Sequence, residues 1–276
     1  MPLWVGNAPA YIQCQRCGLV FHEGPIPERD PPPLTLESYV RGTTSKLPTN
    51  RERLHWLIRH AAVRRGRAAD IGTKDGSAVK VLADMGWDAS GYDPDSRFHG
   101  FAKQTYGIDI RRWFSADAAG RGSLDLVTAF HVLEHIPEPV PWLSEIREAL
   151  KPDGHVYIET PNLRFVEARQ LRPGHVVLYT AHTLRQVLER TGFRVLAMSE
   201  CAPGGTRTFD QLSAVAQRDQ PRSVDCALSR VDRAAERYLQ KIPVDPLASP
   251  LFPVRLCRRV KRRLRRTFRR TCHRVL

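Results

Sequence analysis

Residues 68–76 read Ala-Ala-Asp-Ile-Gly-Thr-Lys-Asp-Gly. An apolar run enters a turn that holds Gly72 and Gly76, and residues 77–85 continue at helical spacing until Gly86. Glycine lets a chain turn sharply and lets a ligand approach the backbone. The helix that follows offers free N–H groups and a partial positive charge. Strand, glycine turn and helix in that order begin a parallel α/β sheet, whose ligands sit at the carboxyl ends of the strands. A turn that needs glycine for close packing alone would read the same way.

The next strand, residues 89–92, ends at Asp93-Pro94. Asp93 lies 21 residues beyond Gly72. A carboxylate at that distance accepts hydrogen bonds from ribose hydroxyls. Turn and carboxylate together point to an adenosine-type cofactor, NAD included. Alternation continues outward from this pair. Residues 50–65 carry Leu54, Leu57, Ile58, Ala61 and Ala62 at helical spacing, with Asn50 as N-cap. Residues 124–130 read as a buried strand, 140–150 as a helix, 151–154 as a turn and 155–160 as a strand. A helix over 183–191 stops at Gly192, and strands follow at 193–198 and 212–217. Strands alternating with helices predict a mostly parallel sheet flanked by helices on both faces.

Residues 125–161 run DLVTAFHVLEHIPEPVPWLSEIREALKPDGHVYIETP. This stretch resembles the V-L-E-H to L-K-P-G-G block of class I S-adenosylmethionine (SAM) methyltransferases, in their ubiquinone-biosynthesis-type branch. Asp153 stands where the first glycine of K-P-G-G is usual. Residues 174–195 resemble the segment that follows in that branch, so the likeness spans about residues 50–200. Residues 68–76 are similar to the D-x-G-x-G-x-G turn of the same class through Asp70, Gly72 and Gly76, with Lys74 in place of the middle glycine. Thr73-Lys74-Asp75-Gly76 is nearer the S-N-D-G version of some sugar-modifying members.

The resemblance implies a Rossmann-like seven-stranded sheet in the order 3-2-1-4-5-7-6, with strand 7 antiparallel. It also implies SAM as cofactor. Asp70 and the backbone at Gly72, Thr73 and Gly76 would face its methionine part, Asp93 with Pro94 its ribose, and Asp117 its adenine amine. Asp117 reads equally well as a solvated loop carboxylate. Lys74 would have to turn its side chain away from the ligand. If it does not, the chain is an inactive SAM-fold protein that binds RNA or a membrane.

Methyl transfer from a sulfonium is an in-line displacement, so the protein must position a nucleophile and, for a hydroxyl acceptor, supply a base. The end of strand 4 carries His131, Glu134 and His135. The string matches the inverted zinc-protease motif H-x-x-E-H, but that motif requires a helix, and here a strand precedes it and Pro137 follows. A quinone-pathway subgroup has E-x-x-E-H here and a divalent metal. His131 replaces the first Glu, and no metal is expected. His131 is assigned to the cofactor or substrate wall, and His135 to catalysis or to a structural junction. His175 and Tyr179 lie in a segment that tends to face the substrate in this branch, and either would orient or deprotonate an acceptor.

The chain has 276 residues, room for one α/β domain with appendages. Net charge is +14. Eleven Lys and Arg fall in residues 251–276, which hold no Asp or Glu, so the body is nearly neutral. There Leu256, Val260, Leu264, Phe268 and Cys272 recur every four residues, within about 160° of helical arc. A basic amphipathic tail suits an anionic membrane surface, and its apolar stripe is not needed for nucleic acid. The first residues lack the pattern of a signal peptide, and no apolar run reaches membrane-spanning length. The expectation is therefore a cytoplasmic protein that can attach to the inner membrane face. Cys14-Gln15-Arg16-Cys17 resembles one knuckle of a zinc ribbon without its other half. The expected organisation is an extension with this remnant and a Pro-rich linker over 1–49, the SAM-binding domain over 50–220, a helix and connector over 221–250, and the tail over 251–276. The acceptor is expected to be a small molecule, or one linked to lipid or glycan, methylated at oxygen.

Overall fold

The computed structural model describes residues 11–14, 17–22, 46–165, 174–201 and 211–221. Two short strands come first, β1 (Tyr11–Gln13) and β2 (Val20–His22), then helix α1 (Lys46–His60). Next come β3 (Arg67–Ile71), α2 (Ser77–Asp84), β4 (Asp88–Tyr92), α3 (His99–Tyr106) and β5 (Ile110–Arg111). The chain continues through α4 (Ala116–Ala119), β6 (Leu124–Phe130), α5 (Pro139–Ala149) and β7 (Leu150–Pro161). It ends in β8 (Val177–Leu178), α6 (Ala181–Arg190), β9 (Phe193–Ser199) and β10 (Gln211–Arg218).

Seven strands form one sheet in the order β5-β4-β3-β6-β7-β10-β9. The first five are parallel, and β10 runs antiparallel to both β7 and β9. This is the strand order that the resemblance implied. Successive side chains of a strand point to opposite faces, and the core divides accordingly. Leu126, Tyr157 and Val215 pack on one face with Leu54 and Leu57 of α1 and Val81 and Leu82 of α2. Their neighbours Val127, Val156, Ile158, Ala214 and Ala216 pack on the other with Leu143 and Ile146 of α5 and Leu184 and Leu188 of α6. Burying each such leucine stabilises the fold by about 1.5–3 kcal/mol.

Three local expectations are corrected. Helix α1 starts at Lys46, four residues before Asn50. Pro48 lies in its first turn, where an N–H has no helical partner anyway. Asn50 is therefore no cap. It is buried inside the helix and donates from Nδ2 to Ser77 Oγ at 3.1 Å. Residues 151–154 belong to β7, which shifts register against β6 between Leu124 and Leu126. Helix α6 begins at Ala181, because Thr180 and Thr183 form a capping box there.

The strands β1 and β2 form a hairpin, and β2 pairs with β8 through Val20↔Leu178 and Phe21↔Val177. The segment around Cys14 and Cys17 is thus tied to the body as part of a second, three-stranded sheet. The Pro-rich linker, the helix after residue 221 and the basic tail lie outside the described residues.

Candidate active site

The turn after β3 is built as its glycines require. Gly72 and Gly76 have φ of 73° and 76°, a region that L side chains rarely adopt. A Cβ at Gly72 would overlap Val132 Cγ2, so this glycine also lets the end of β6 pack against the turn. The Gly72 and Thr73 amides both donate to the Tyr92 carbonyl, at 2.7 and 3.2 Å, which ties the turn to the end of β4. Asp70 is buried and accepts from Thr128 Oγ1 at 2.6 Å. Burial pushes its carboxyl up to about 7, with the Thr128 hydroxyl opposing.

Asp93 stands at the carboxyl end of β4, buried beside the turn. Its Oδ2 accepts from the Lys74 amide and its Oδ1 from the Asp95 amide, both at 2.8 Å. Burial raises its pKa. Each oxygen keeps a further lone pair, which suits paired ribose hydroxyls. Lys74 adopts φ 54°, the conformation the usual glycine would take, and its Nζ lies over the Phe98 ring, 5.6 Å from the centroid. Its side chain thus has a resting place on Phe98, and the reading of an inactive protein loses its main support. Asp75 is buried at the start of α2 and accepts from the Ser77 amide at 3.0 Å. Its Oδ2 pairs with Lys46 Nζ at 3.0 Å. The residues present fit SAM.

On the other side, β6 ends at Phe130 and His131 follows with φ 56°. Its ring spans two buried carboxylates. Nδ1 lies 3.3 Å from Glu134 Oε1 and Nε2 lies 3.2 Å from Glu159 Oε1. Burial would lower the imidazole's pKa, but bonds and charge from Glu134 and Glu159 outweigh it and raise the pKa to about 10. Both carboxylates stay below their usual range despite burial, Glu134 through His131 and Glu159 through His131 and Arg53. Arg53 of α1 donates from Nε to Glu159 Oε2 at 3.0 Å and pairs through Nη2 with Oε1. His131 is therefore a cation held in place. Both of its ring nitrogens face carboxylates, so it lines the site and offers no lone pair to a substrate.

His135 differs. Its Nδ1 lies 2.6 Å from the Gly174 carbonyl, which can only accept. Nδ1 therefore carries the proton, and Nε2 keeps a lone pair in the neutral ring. The His175 ring meets His135 edge-on, with centroids 4.9 Å apart, and Val176 donates to the Glu134 carbonyl at 2.8 Å. Tyr179 is fully buried, and its hydroxyl has no hydrogen-bond partner among the described residues. Burial and the Glu134 charge push its pKa up, so it can donate a hydrogen bond but not abstract a proton. That corrects its role as a base. Ligand atoms of Glu134, His135 and His175 lie within 4.8 Å of one another. Glu134 also bonds His131 and Thr160, and His135 Nδ1 is engaged by the Gly174 carbonyl, which leaves Nε2 as the ring nitrogen facing the cluster.

Pro94 is exposed at the start of the loop after β4. Asp117 sits apart from these groups. It lies in α4 with a 77% exposed side chain and pairs with Arg121 at 2.7 Å. Its exposure and this ion pair fit the alternative reading of Asp117 as a solvated carboxylate. Sequence reasoning missed Glu159, Arg53 and Gly174. Glu159 had a signal, a carboxylate near the carboxyl end of an otherwise apolar strand.

Residues 45–198 match the model of the family described as a methyltransferase domain. The chain belongs to this family, and SAM is the cofactor of its domain. It is 30% identical over 119 residues to the ubiquinone biosynthesis O-methyltransferase of Acinetobacter baylyi, covering 40% of this chain and 50% of that protein. The corresponding enzyme of Burkholderia vietnamiensis is 32% identical over 120 residues, covering 41% and 52%. The chain thus spans about half the length of the curated relatives it matches. Its fold resembles the SAM-dependent methyltransferase of Mesorhizobium loti, with a TM-score of 0.51 at 19% identity over 60% of this chain and 98% of that one. It also resembles the 1,6-didemethyltoxoflavin-N1-methyltransferase of Burkholderia thailandensis, solved with S-adenosylhomocysteine. There the TM-score is 0.51 at 16% identity over 77% of this chain and all of that one.

Proposed function

We propose that the chain methylates an oxygen of a small-molecule, lipid-linked or glycan acceptor, with His135 as general base. The observation that carries this reading is the Nδ1 bond of His135 to the Gly174 carbonyl, which leaves Nε2 as a proton acceptor beside His175. Bound SAM supplies a methyl group on a cationic sulfur. Asp93 holds the ribose, and Asp70 with the Gly72–Gly76 backbone holds the methionine end. Pro94 lies beside the ribose, and the cationic His131 lines the wall between cofactor and acceptor. His135 Nε2 takes the hydroxyl proton as the acceptor oxygen attacks the methyl carbon and the bond from that carbon to sulfur breaks, and His175, backed by the buried Tyr179, orients the acceptor. The activity of these relatives, O-methylation in ubiquinone biosynthesis, supports oxygen as the acceptor atom.

Calorimetric titration with SAM, then a labelled-methyl screen of hydroxyl acceptors, tests the reading. His135→Gln should lower turnover about 10²–10⁴-fold and leave SAM affinity unchanged. An unchanged rate would remove His135 as base. The basic stripe of residues 251–276 supports a second element, attachment to an anionic membrane that presents the acceptor. No helix among the described residues is long and apolar enough to cross a membrane. Deleting 251–276 should abolish binding to anionic vesicles, and equal binding by the shortened chain would refute it.

A further inference from the structure

The loop that fixes His135 is itself fixed from a distance. Gly174 and His175 are adjacent, and their carbonyls have different partners. The Gly174 carbonyl accepts from His135 Nδ1 at 2.6 Å. The His175 carbonyl accepts from the Tyr11 hydroxyl at 2.7 Å. Tyr11 is buried, and its ring meets His22 edge-on, with centroids 5.7 Å apart. The next residue is also clamped on both sides: Val176 donates to the Glu134 carbonyl, and its own carbonyl accepts from the His22 amide, each at 2.8 Å. The pairing of β2 with β8 carries the same contact on through Phe21↔Val177 and Val20↔Leu178. Three consecutive residues, 174–176, are thus held between the hairpin and the segment Glu134–His135.

We infer that Tyr11 is a positioning residue for His135. Its hydroxyl fixes the peptide that joins His175 to Val176, and the hairpin pairing fixes the strand beyond it. Together they leave the Gly174 carbonyl aimed at Nδ1. A carbonyl at Nδ1 selects the Nδ1–H tautomer, and only that tautomer presents a lone pair at Nε2. Without the clamp the carbonyl can turn away, and the ring returns to the Nε2–H form that free histidine side chains prefer. Nε2 could then no longer accept the acceptor's proton. The inference rests on His135 being the base, but it concerns what sets that base's tautomer, and the two can fail separately.

Nitrogen NMR of the full chain with ¹⁵N-labelled histidine reads the tautomer directly. Spectra are taken at alkaline pH, and His135 is assigned by its loss in His135→Gln. Wild type should show His135 mainly as Nδ1–H. In Tyr11→Phe the Nδ1–H form should lose its majority, while SAM affinity stays within about twofold, because the ring still packs on His22 and the cofactor side is untouched. Tyr11→Gln retains a donor and should restore the tautomer in part. A tautomer unchanged in Tyr11→Phe would overturn the role of Tyr11 and leave His135 as base. A wild-type His135 in the Nε2–H form would overturn both. Should Tyr11→Phe not fold, the wild-type spectrum still decides. A slowly exchanging Tyr11 hydroxyl proton supports the inference, and a rapidly exchanging one overturns it.

Discussion

Two non-glycine residues among the described ones adopt left-handed backbone, and they stand on opposite sides of the site. Lys74 at φ 54° closes the cofactor turn, and His131 at φ 56° ends β6. The strain is alike, about 1–2 kcal/mol for an L residue. What opposes it is not. Lys74 is held through its main chain, by an amide bond to Asp93 that any residue could make. His131 is held by its own amide, which donates to the Glu159 carbonyl at 2.8 Å, and in addition through its side chain, between two buried carboxylates that no other residue type would satisfy in the same way. Equal backbone geometry therefore says nothing about whether a side chain can be replaced.

Replacing both by glycine breaks the comparison most sharply. His131→Gly relieves strain but leaves Glu134 and Glu159 without their shared cation, and should cost about 3 kcal/mol in urea unfolding. A loss below about 1 kcal/mol would mean that the ring does not hold the carboxylates. Asp93→Ala tests the other side. It removes the acceptor of the Lys74 amide and, on the proposed reading, the carboxylate that holds the ribose, and should weaken SAM binding about 100-fold by calorimetry. Unchanged affinity would remove Asp93 from the cofactor site.

The two sides should also part in their dependence on pH. Burial pushes the Asp70 carboxyl up to about 7, above the ordinary carboxylate value of about 4, so the native state holds the proton more tightly. Its contribution is fully present below pH 4 and is lost as pH rises towards 7. The two carboxylates push the His131 imidazole up to about 10, above the ordinary value near 6.5, so its contribution is present below pH 6.5 and is lost as pH rises through 10. Stability measured from pH 4 to 10 should fall in both windows. Asp70→Asn should flatten the lower window alone, and Glu159→Gln the upper alone. One variant that changed both would show the two sides to be coupled. The smallest effect is expected from Lys74→Gly, a gain of at most about 1 kcal/mol with SAM affinity unchanged. A clear loss of affinity would give the Lys74 side chain a role in binding.

The central sheet was legible because its signals are local. Residues 124–130 and 155–160 are apolar runs of strand length, and Gly86 and Gly192 punctuate their helices as helix ends should. Asp93 was legible for the same reason, since its spacing from Gly72 fixes its place one strand away. What escaped was set by partners distant in sequence. The state of His131 depends on Glu159, 28 residues on, and Asn50 serves Ser77 instead of capping its own helix. Strands β1 and β2 have three residues each, too short for periodicity to show. The partner strand, β8, lies more than 150 residues away.

That last separation has a consequence for synthesis. A ribosome releases Tyr11 and Val20 long before Val177 and Leu178 exist. The hairpin is made early yet has no partner strand until β8 has been translated. Closing a loop that long costs entropy that only an assembled body can offset. These early-made strands are therefore among the last to find their place, and the segment Gly174–Val176 is clamped only when they do.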